Sequence, residues 1–293
     1  MSTNSIQKIN WSPFFDEVPK KQLDLFRNFT ETHALKQIHN QGQIINYIDC
    51  GRGTKTLFFC HGALVRGDMF FYAIKELEQT YRIIAPTFPS QNLEPLQAVK
   101  WIEIIKEKEQ LNSFCVIGYS FGGGVAQLLM HFHPDWLDGV VLTHTGNLFR
   151  KISTKKMKIV SFIIRLMPFK FIIKKIRKRR KLVPKEQKWY KFYNAYFEEI
   201  AHSLKKQDFI QWINNTSNFY LETGIKSAPT FKKPMIILGT EGDTDAFQYF
   251  PTLCKLYPQA KFHIFKGDGG HHYIFLNPEN YTTVLSSMIS KME

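Results

Sequence analysis

Gly118-Tyr119-Ser120-Phe121-Gly122 sets a serine between two glycines, directly after the apolar run FCVIG and directly before the helical run FGGGVAQLLMHFH. A serine at a sharp strand-to-helix turn sits in a strained backbone conformation that lifts its hydroxyl above the sheet. Glycines at the flanking positions let such a turn close against its neighbours. A hydroxyl in that setting becomes a nucleophile once a base takes its proton and an acid orients the base. Both residue types stand after later apolar runs. Thr240-Glu241-Gly242-Asp243-Thr244-Asp245 follows MIILG, and Gly267-Asp268-Gly269-Gly270-His271-His272 follows KFHIF. After GVVLT, in contrast, His144-Thr145-Gly146-Asn147 offers no carboxylate. No HExxH, CxxC or carboxylate-pair spacing suggests a metal centre, and Gly122-Gly123-Gly124 lacks the GxGxxG and GxxxxGK[ST] spacings of phosphate loops. Neither a metal nor a cofactor is expected.

The elements that must position these groups alternate. Short β-branched and aromatic runs at Leu57–Cys60, Tyr81–Ala85, Phe114–Gly118, Gly139–Thr143, Met235–Gly239 and Lys261–Phe265 read as buried strands. Before them, ALKQI and QIINYI flank the turn-like HNQG and read as a hairpin. Helical spacing fills the gaps in MFFYAIKELEQ, EPLQAVKWIEIIKEKEQ, FGGGVAQLLMHFH, DAFQYFPTLCKLY and PENYTTVLSSMISKM. Strand-helix alternation of this kind predicts an α/β fold with a doubly wound, mostly parallel sheet. About ninety residues between GVVLT and MIILG break the alternation, too many for an ordinary connection. Residues 147–230 are therefore expected to form an inserted helical cap, 34–146 and 231–293 the core, and 1–33 an N-terminal extension.

Here the chain resembles the α/β-hydrolase superfamily, from about Ala34 to its C-terminus. His61-Gly62 after LFFC matches the family's oxyanion-loop opening, which implies that the backbone N–H groups of Ala63 and Phe121 would stabilise a tetrahedral oxyanion. The family's GxxD pattern points to Asp243 as the acid, ahead of Asp245 and Glu241. The family's GGH stretch, at its usual distance from a Pro-Glu helix start, here Pro278-Glu279, selects His271 over His272 as the base. The resemblance thus implies a catalytic Ser120, His271 and Asp243. Serine rather than aspartate at the elbow argues against the epoxide-hydrolase and dehalogenase branches. A narrower resemblance, carried by LCKLYPQAKFHIFKGDGGHHYIFLNPE and LMPFKFIIKKI, is to the maspardin branch, which is associated with protein binding. HG and an available histidine stand where that branch departs from the hydrolytic pattern, and favour an enzyme.

Composition bounds the remaining classes. With 293 residues, 44% hydrophobic, 22% charged and 26 phenylalanines, the chain is globular rather than disordered or repetitive. Cys50, Cys60, Cys115 and Cys254 lie far apart and read as reduced thiols. The start lacks a secretory pattern, and IVSFIIRLMPFKFII is interrupted by Arg165, Pro168 and Lys170, so a cytoplasmic protein is expected. The net charge of +14 is concentrated: residues 150–191 hold 17 Lys or Arg against the single acid Glu186. A recognised nucleic-acid-reading module is absent, and no nucleic acid is expected. The apolar residues from Phe162 to Ile173, interleaved with Arg165, Lys170, Lys174 and Lys175 ahead of the cluster Arg177–Lys181, admit two readings. The preferred one is a cap whose apolar face covers the active site and whose basic face is solvated. The other is contact with an anionic membrane or an acidic partner. The expected activity is hydrolysis of an apolar carboxylic ester or thioester through an acyl-enzyme, the alternative a catalytically silent binding protein. The expected partner is a small apolar acyl substrate.

Overall fold

The apolar runs form eight strands: β1 (Leu35–Asn40), β2 (Gln43–Cys50), β3 (Thr56–Cys60), β4 (Arg82–Thr87), β5 (Phe114–Tyr119), β6 (Leu137–Thr143), β7 (Met235–Thr240) and β8 (Lys261–Phe265). The computed structural model describes residues 12–40, 42–89, 94–148, 154–180, 183–222 and 228–292. One sheet takes the order β1-β2-β4-β3-β5-β6-β7-β8. The first two pairings, β1 with β2 and β2 with β4, are antiparallel and the other five are parallel. This is the expected doubly wound, mostly parallel sheet. Its central strands β3 and β7 are buried at every residue, which is why they read as continuous apolar runs rather than as alternating ones.

Helices cover both faces: α1 (Lys20–Thr32), α2 (Phe71–Leu77), α3 (Pro95–Lys108), α4 (Phe121–Phe132), α5 (Thr154–Leu166), α6 (Phe169–Arg180), α7 (Tyr190–Ser203), α8 (Lys206–Glu222), α9 (Phe250–Leu256), α10 (Tyr273–Leu276) and α11 (Pro278–Ile289). Successive strand residues point to opposite faces and so feed two cores. Phe58, Val116, Val140 and Ile237 pack with α3, α4 and α9, while Phe59, Ile117, Val141 and Ile236 pack with α1, α2, α7 and α11.

Helices α5 to α8 lie between β6 and β7 in the chain. One of them, α7, is tied to the rest by rings: Phe192 lies 5.2 Å from Phe26 and 5.3 Å from Phe71. Tyr196 Oη donates to Asp68 at 2.6 Å, and Trp189 Nε1 donates to Glu279 at 2.8 Å. Within the N-terminal segment, Leu23, Phe26 and Phe29 of α1 are buried at helical spacing and wedge between α2 and α7; residues 1–11 lie outside the described part.

The apolar residues of the basic region divide. Ile172 and Ile173 of α6 are buried, as a covering face requires. In α5, Ile159, Phe162, Ile163 and Leu166 face solvent, contrary to the expectation that this whole stretch covers the site. Pro168 separates the two helices: it has no N–H to continue α5, so the apolar stripe is not carried on along one face. No helix among the described residues is long and apolar enough to cross a membrane.

Candidate active site

Ser120 sits at the junction of β5 and α4 with φ +53° and ψ −112°, a left-handed conformation that is strained for a residue with a side chain. The elbow closes because its neighbours have no side chains. A Cβ on Gly118 would lie 2.3 Å from the Gly122 carbonyl oxygen, and one on Gly122 would lie 2.0 Å from that of Cys60. The Ser120 carbonyl accepts the Thr145 hydroxyl at 2.7 Å, which pins the turn to the end of β6.

The histidine arrives from the loop after β8. Gly270 precedes it with φ +49°, and a Cβ there would meet the Gly242 carbonyl oxygen at 2.7 Å. Only glycine lets the loop after β8 lie against the loop after β7. Tyr119 Oη then donates to the His271 carbonyl at 2.6 Å, so the residue beside the serine holds the histidine loop. His271 Nε2 lies 2.9 Å from Ser120 Oγ, and its Nδ1 lies 2.9 Å from Asp243 Oδ2. The adjacent His272 ring instead faces the aromatic rings of Tyr193 and Phe197 in α7.

Of the three carboxylates after β7, Asp243 is the buried one, 2% exposed. Its Oδ1 accepts the N–H groups of Asp245 at 2.9 Å and Ala246 at 2.8 Å, which leaves Oδ2 for His271. Burial alone would raise this carboxyl. The hydrogen bond and charge of His271, together with the Ala246 N–H, outweigh it and hold the Asp243 carboxyl below its ordinary range. Asp245 contributes its backbone N–H to this arrangement, and Glu241 is exposed.

His61 explains how the loop after β3 is shaped. It is 1% exposed, its Nε2 accepts the Phe88 N–H at 2.8 Å, and its Nδ1 must therefore carry the hydrogen donated to the Gly62 carbonyl at 2.6 Å. In a trans peptide the carbonyl and the following N–H point in opposite directions. Tying down the Gly62 oxygen thus sets the direction of the Ala63 N–H. The loop's tightness shows at Leu64, which takes φ +59°. Burial lowers the His61 pKa to about 4, so the ring stays neutral. Ala63 and Phe121 line the cavity that also holds Ser120 and His271.

A second buried histidine, His144, lies behind the first. Its ring, 6.3 Å from that of His271, bonds to Thr143 Oγ1 at 2.9 Å and Thr240 Oγ1 at 2.7 Å. Burial and the nearby His271 lower its pKa to about 3. Residue type and spacing do not single it out; its position just past the end of β6 is the one signal of it in the sequence.

Two cavities share Ala63, Trp212, Asp245 and His271 in their walls, and Ser120 lines the smaller of them. The larger, about 560 Å³, has apolar walls from Ile173, Val183, Phe197, Ile200, Leu204 and Phe209. The other, about 410 Å³, runs past Phe121, Leu148 and Tyr249. A further cavity of about 520 Å³, lined by Lys55, Arg82, Asn112 and Asp138, holds none of these groups. Among the described residues one trio of possible metal ligands, His33, Cys50 and Glu78, has its ligand atoms within 4.8 Å of one another; spacing alone did not reveal it. Two of its members already bond to one another, His33 Nε2 lying 2.7 Å from Glu78.

Known proteins share this architecture. An esterase from Exiguobacterium antarcticum superposes with a TM-score of 0.67 at 14% identity, covering 87% of this chain and 99% of its own. The enol-lactonase from Burkholderia xenovorans gives 0.67 at 12%, covering 87% and 100%. A 1-acylglycerol-3-phosphate O-acyltransferase of Arabidopsis thaliana is 25% identical over 138 residues, 42% of this chain and 33% of that enzyme's length. The profile of the alpha/beta hydrolase family matches residues 57–283, which include the elbow, the acid turn and the histidine loop, and the chain belongs to that family.

Proposed function

We propose that the protein is a serine hydrolase cleaving carboxylic esters or thioesters of apolar acyl chains through an acyl-enzyme at Ser120. The observation that carries this reading is the linear relay: Ser120 Oγ, the two His271 nitrogens and Asp243 Oδ2, each link 2.9 Å. In the first half-reaction Oγ attacks the acyl carbon and His271 Nε2 takes the hydroxyl proton. Asp243 keeps the hydrogen on Nδ1 and stabilises the imidazolium. The N–H groups of Ala63 and Phe121 receive the oxyanion. His271 returns the proton to the departing alcohol or thiol, which leaves the acyl group on Oγ. Water, deprotonated by the same nitrogen, then releases the acid and restores the serine. The apolar cavity under the cap supports an aliphatic acyl chain, its volume lying within the usual range for small-molecule sites. Acyl transfer, the activity named for the Arabidopsis relative, would share the first half-reaction; product analysis with an added alcohol separates the two.

The test is a fluorophosphonate probe together with p-nitrophenyl esters of increasing chain length. The wild-type protein should label and turn over, and Ser120→Ala should do neither while keeping its fold. Absence of labelling and of turnover in the wild type would leave a binding protein, and wild-type esterase activity in Ser120→Ala would refute Ser120 as the nucleophile.

A further inference from the structure

We propose that the outer surface of α5 and α6 docks the protein onto an anionic lipid bilayer. Ile159, Phe162, Ile163 and Leu166 recur at i, i+3, i+4 and i+7 along α5 and are 59%, 63%, 49% and 70% exposed. They form the apolar stripe of an amphipathic helix, turned to solvent. The opposite side of α5 is already engaged: Ser161 Oγ donates to Asn214 Oδ1 of α8, and Lys206 Nζ caps the Arg165 carbonyl at 2.7 Å. The stripe therefore faces outward because α5 is held by its polar side. Phe171 of α6, 48% exposed, adds a ring to the same outer layer.

Charge identifies the occupant. The 42 residues that contain this surface carry 17 Lys or Arg and one acid, whereas the rest of the chain has 22 basic and 24 acidic residues. Arg165, Lys170 and Lys174 are exposed between the apolar residues; Arg177 pairs with Glu198 at 2.6 Å, and the side chains of 178–181 lie outside the described part. A second copy of this chain would bring two strongly basic surfaces together and repel. A nucleic-acid backbone would satisfy the bases and leave the aliphatic stripe in water. An anionic bilayer takes both: headgroup phosphates accept the Lys and Arg side chains, and the acyl boundary takes Phe162, Ile163 and Leu166. A helix of 13 residues is about 20 Å long, short of a bilayer's roughly 30 Å core, so α5 lies in the interface plane. The inner side of α6 presents Ile173 to the cavity that also holds His271, so docking brings that cavity up to the lipid.

The proposal stands whether or not Ser120 is a nucleophile, because its test reads binding. The full chain is sedimented with vesicles of phosphatidylcholine alone and of phosphatidylcholine mixed with phosphatidylglycerol. The mixed vesicles should carry the protein down at low salt, the plain ones should carry far less, and added salt should reverse the binding. Phe162→Ser with Leu166→Ser, at exposed positions, should lower the partition coefficient at least tenfold. Arg165→Gln, Lys170→Gln and Lys174→Gln together should lower it by about fivefold for each charge removed. Circular dichroism and turnover of a soluble short ester should match the wild type in both variants. Failure of the wild type to bind mixed vesicles at low salt would overturn the proposal. So would a stripe variant that binds like the wild type, which would assign the surface to polyanions or an acidic protein.

Discussion

Replacing His61 by glutamine tests the physical account of the loop after β3, because His61 is a neutral buried group with a defined proton. Its Nε2 can accept the Phe88 N–H only while unprotonated. Burial lowers its pKa from the ordinary 6.5 to about 4. Between those values the unfolded chain binds a proton that the folded protein refuses, so stability rises with pH across the window. The His61 contribution is fully present above pH 6.5, falls as the pH drops, and is lost below about pH 4. At 1.36 kcal/mol per pK unit it amounts to about 3 kcal/mol, with a limiting slope of about 1.4 kcal/mol per pH unit. Glutamine keeps an acceptor near Nε2 but has no titrating proton and no matched donor for the Gly62 carbonyl. At neutral pH the variant should be less stable by about 1–3 kcal/mol. Urea denaturation at a series of pH values should show this gap narrowing and closing as the pH approaches 4. His144, whose pKa burial lowers to about 3, titrates alike in both proteins and cancels in the difference. Stability curves that run parallel through the window would refute the assignment of a neutral His61.

The remaining predictions concern the relay and the elbow. Asp243→Asn preserves the side-chain shape and a carbonyl acceptor for Asp245 and Ala246, but can present an amide donor to His271 Nδ1. The imidazole then carries its hydrogen on Nε2 and cannot accept the serine proton, so kcat should fall by about 10³–10⁴ with the melting temperature little changed. A loss under tenfold would mean that the acid does not set the tautomer. Gly122→Ala places a Cβ 2.0 Å from the Cys60 carbonyl oxygen and should destabilise by about 3 kcal/mol or more, or yield insoluble protein. Gly124→Ala meets only Leu148 Cδ1 at 3.3 Å and should stay within about 1 kcal/mol of wild type. Equal thermal stability of the two variants would show that close approach does not explain the elbow glycine.

Much of the frame was legible because its physical demands leave residue-level traces. A strand buried on both faces must be apolar throughout, so β3, β5, β6 and β7 could be read as runs. A serine at φ +53° whose turn brings Gly118 against the Gly122 carbonyl, and Gly122 against that of Cys60, requires glycine at both positions, so the elbow is written in five letters. The acid turn was less legible. Glu241, Asp243 and Asp245 lie within five residues, and a family pattern had to choose among them. What distinguishes them in space is burial and two backbone N–H groups on one carboxylate oxygen, neither of which has a signature in side-chain type. His61 and His144 are similar: each draws its role from partners that are backbone groups or distant hydroxyls.

Sequence periodicity reports that a helix has an apolar side, but it does not say what lies opposite that side. Leu23, Phe26 and Phe29 in α1, Phe192, Tyr193 and Tyr196 in α7, and Ile159, Phe162, Ile163 and Leu166 in α5 are all apolar groups at helical spacing. The first two groups find each other and the core, and they vanish from the surface. The third does not, because α5 bonds to α8 through Ser161 and through the Arg165 carbonyl, and Pro168 turns the chain before the stripe can continue into α6. Four large apolar side chains left in water on a folded surface cost stability unless another phase receives them. The same segment carries the whole of the chain's excess positive charge, since the remaining residues are net acidic, and the proposed anionic bilayer is a phase that would receive both features. Apolar spacing and charge are each ambiguous alone, and it is their coincidence at one surface on which the proposed lipid docking rests.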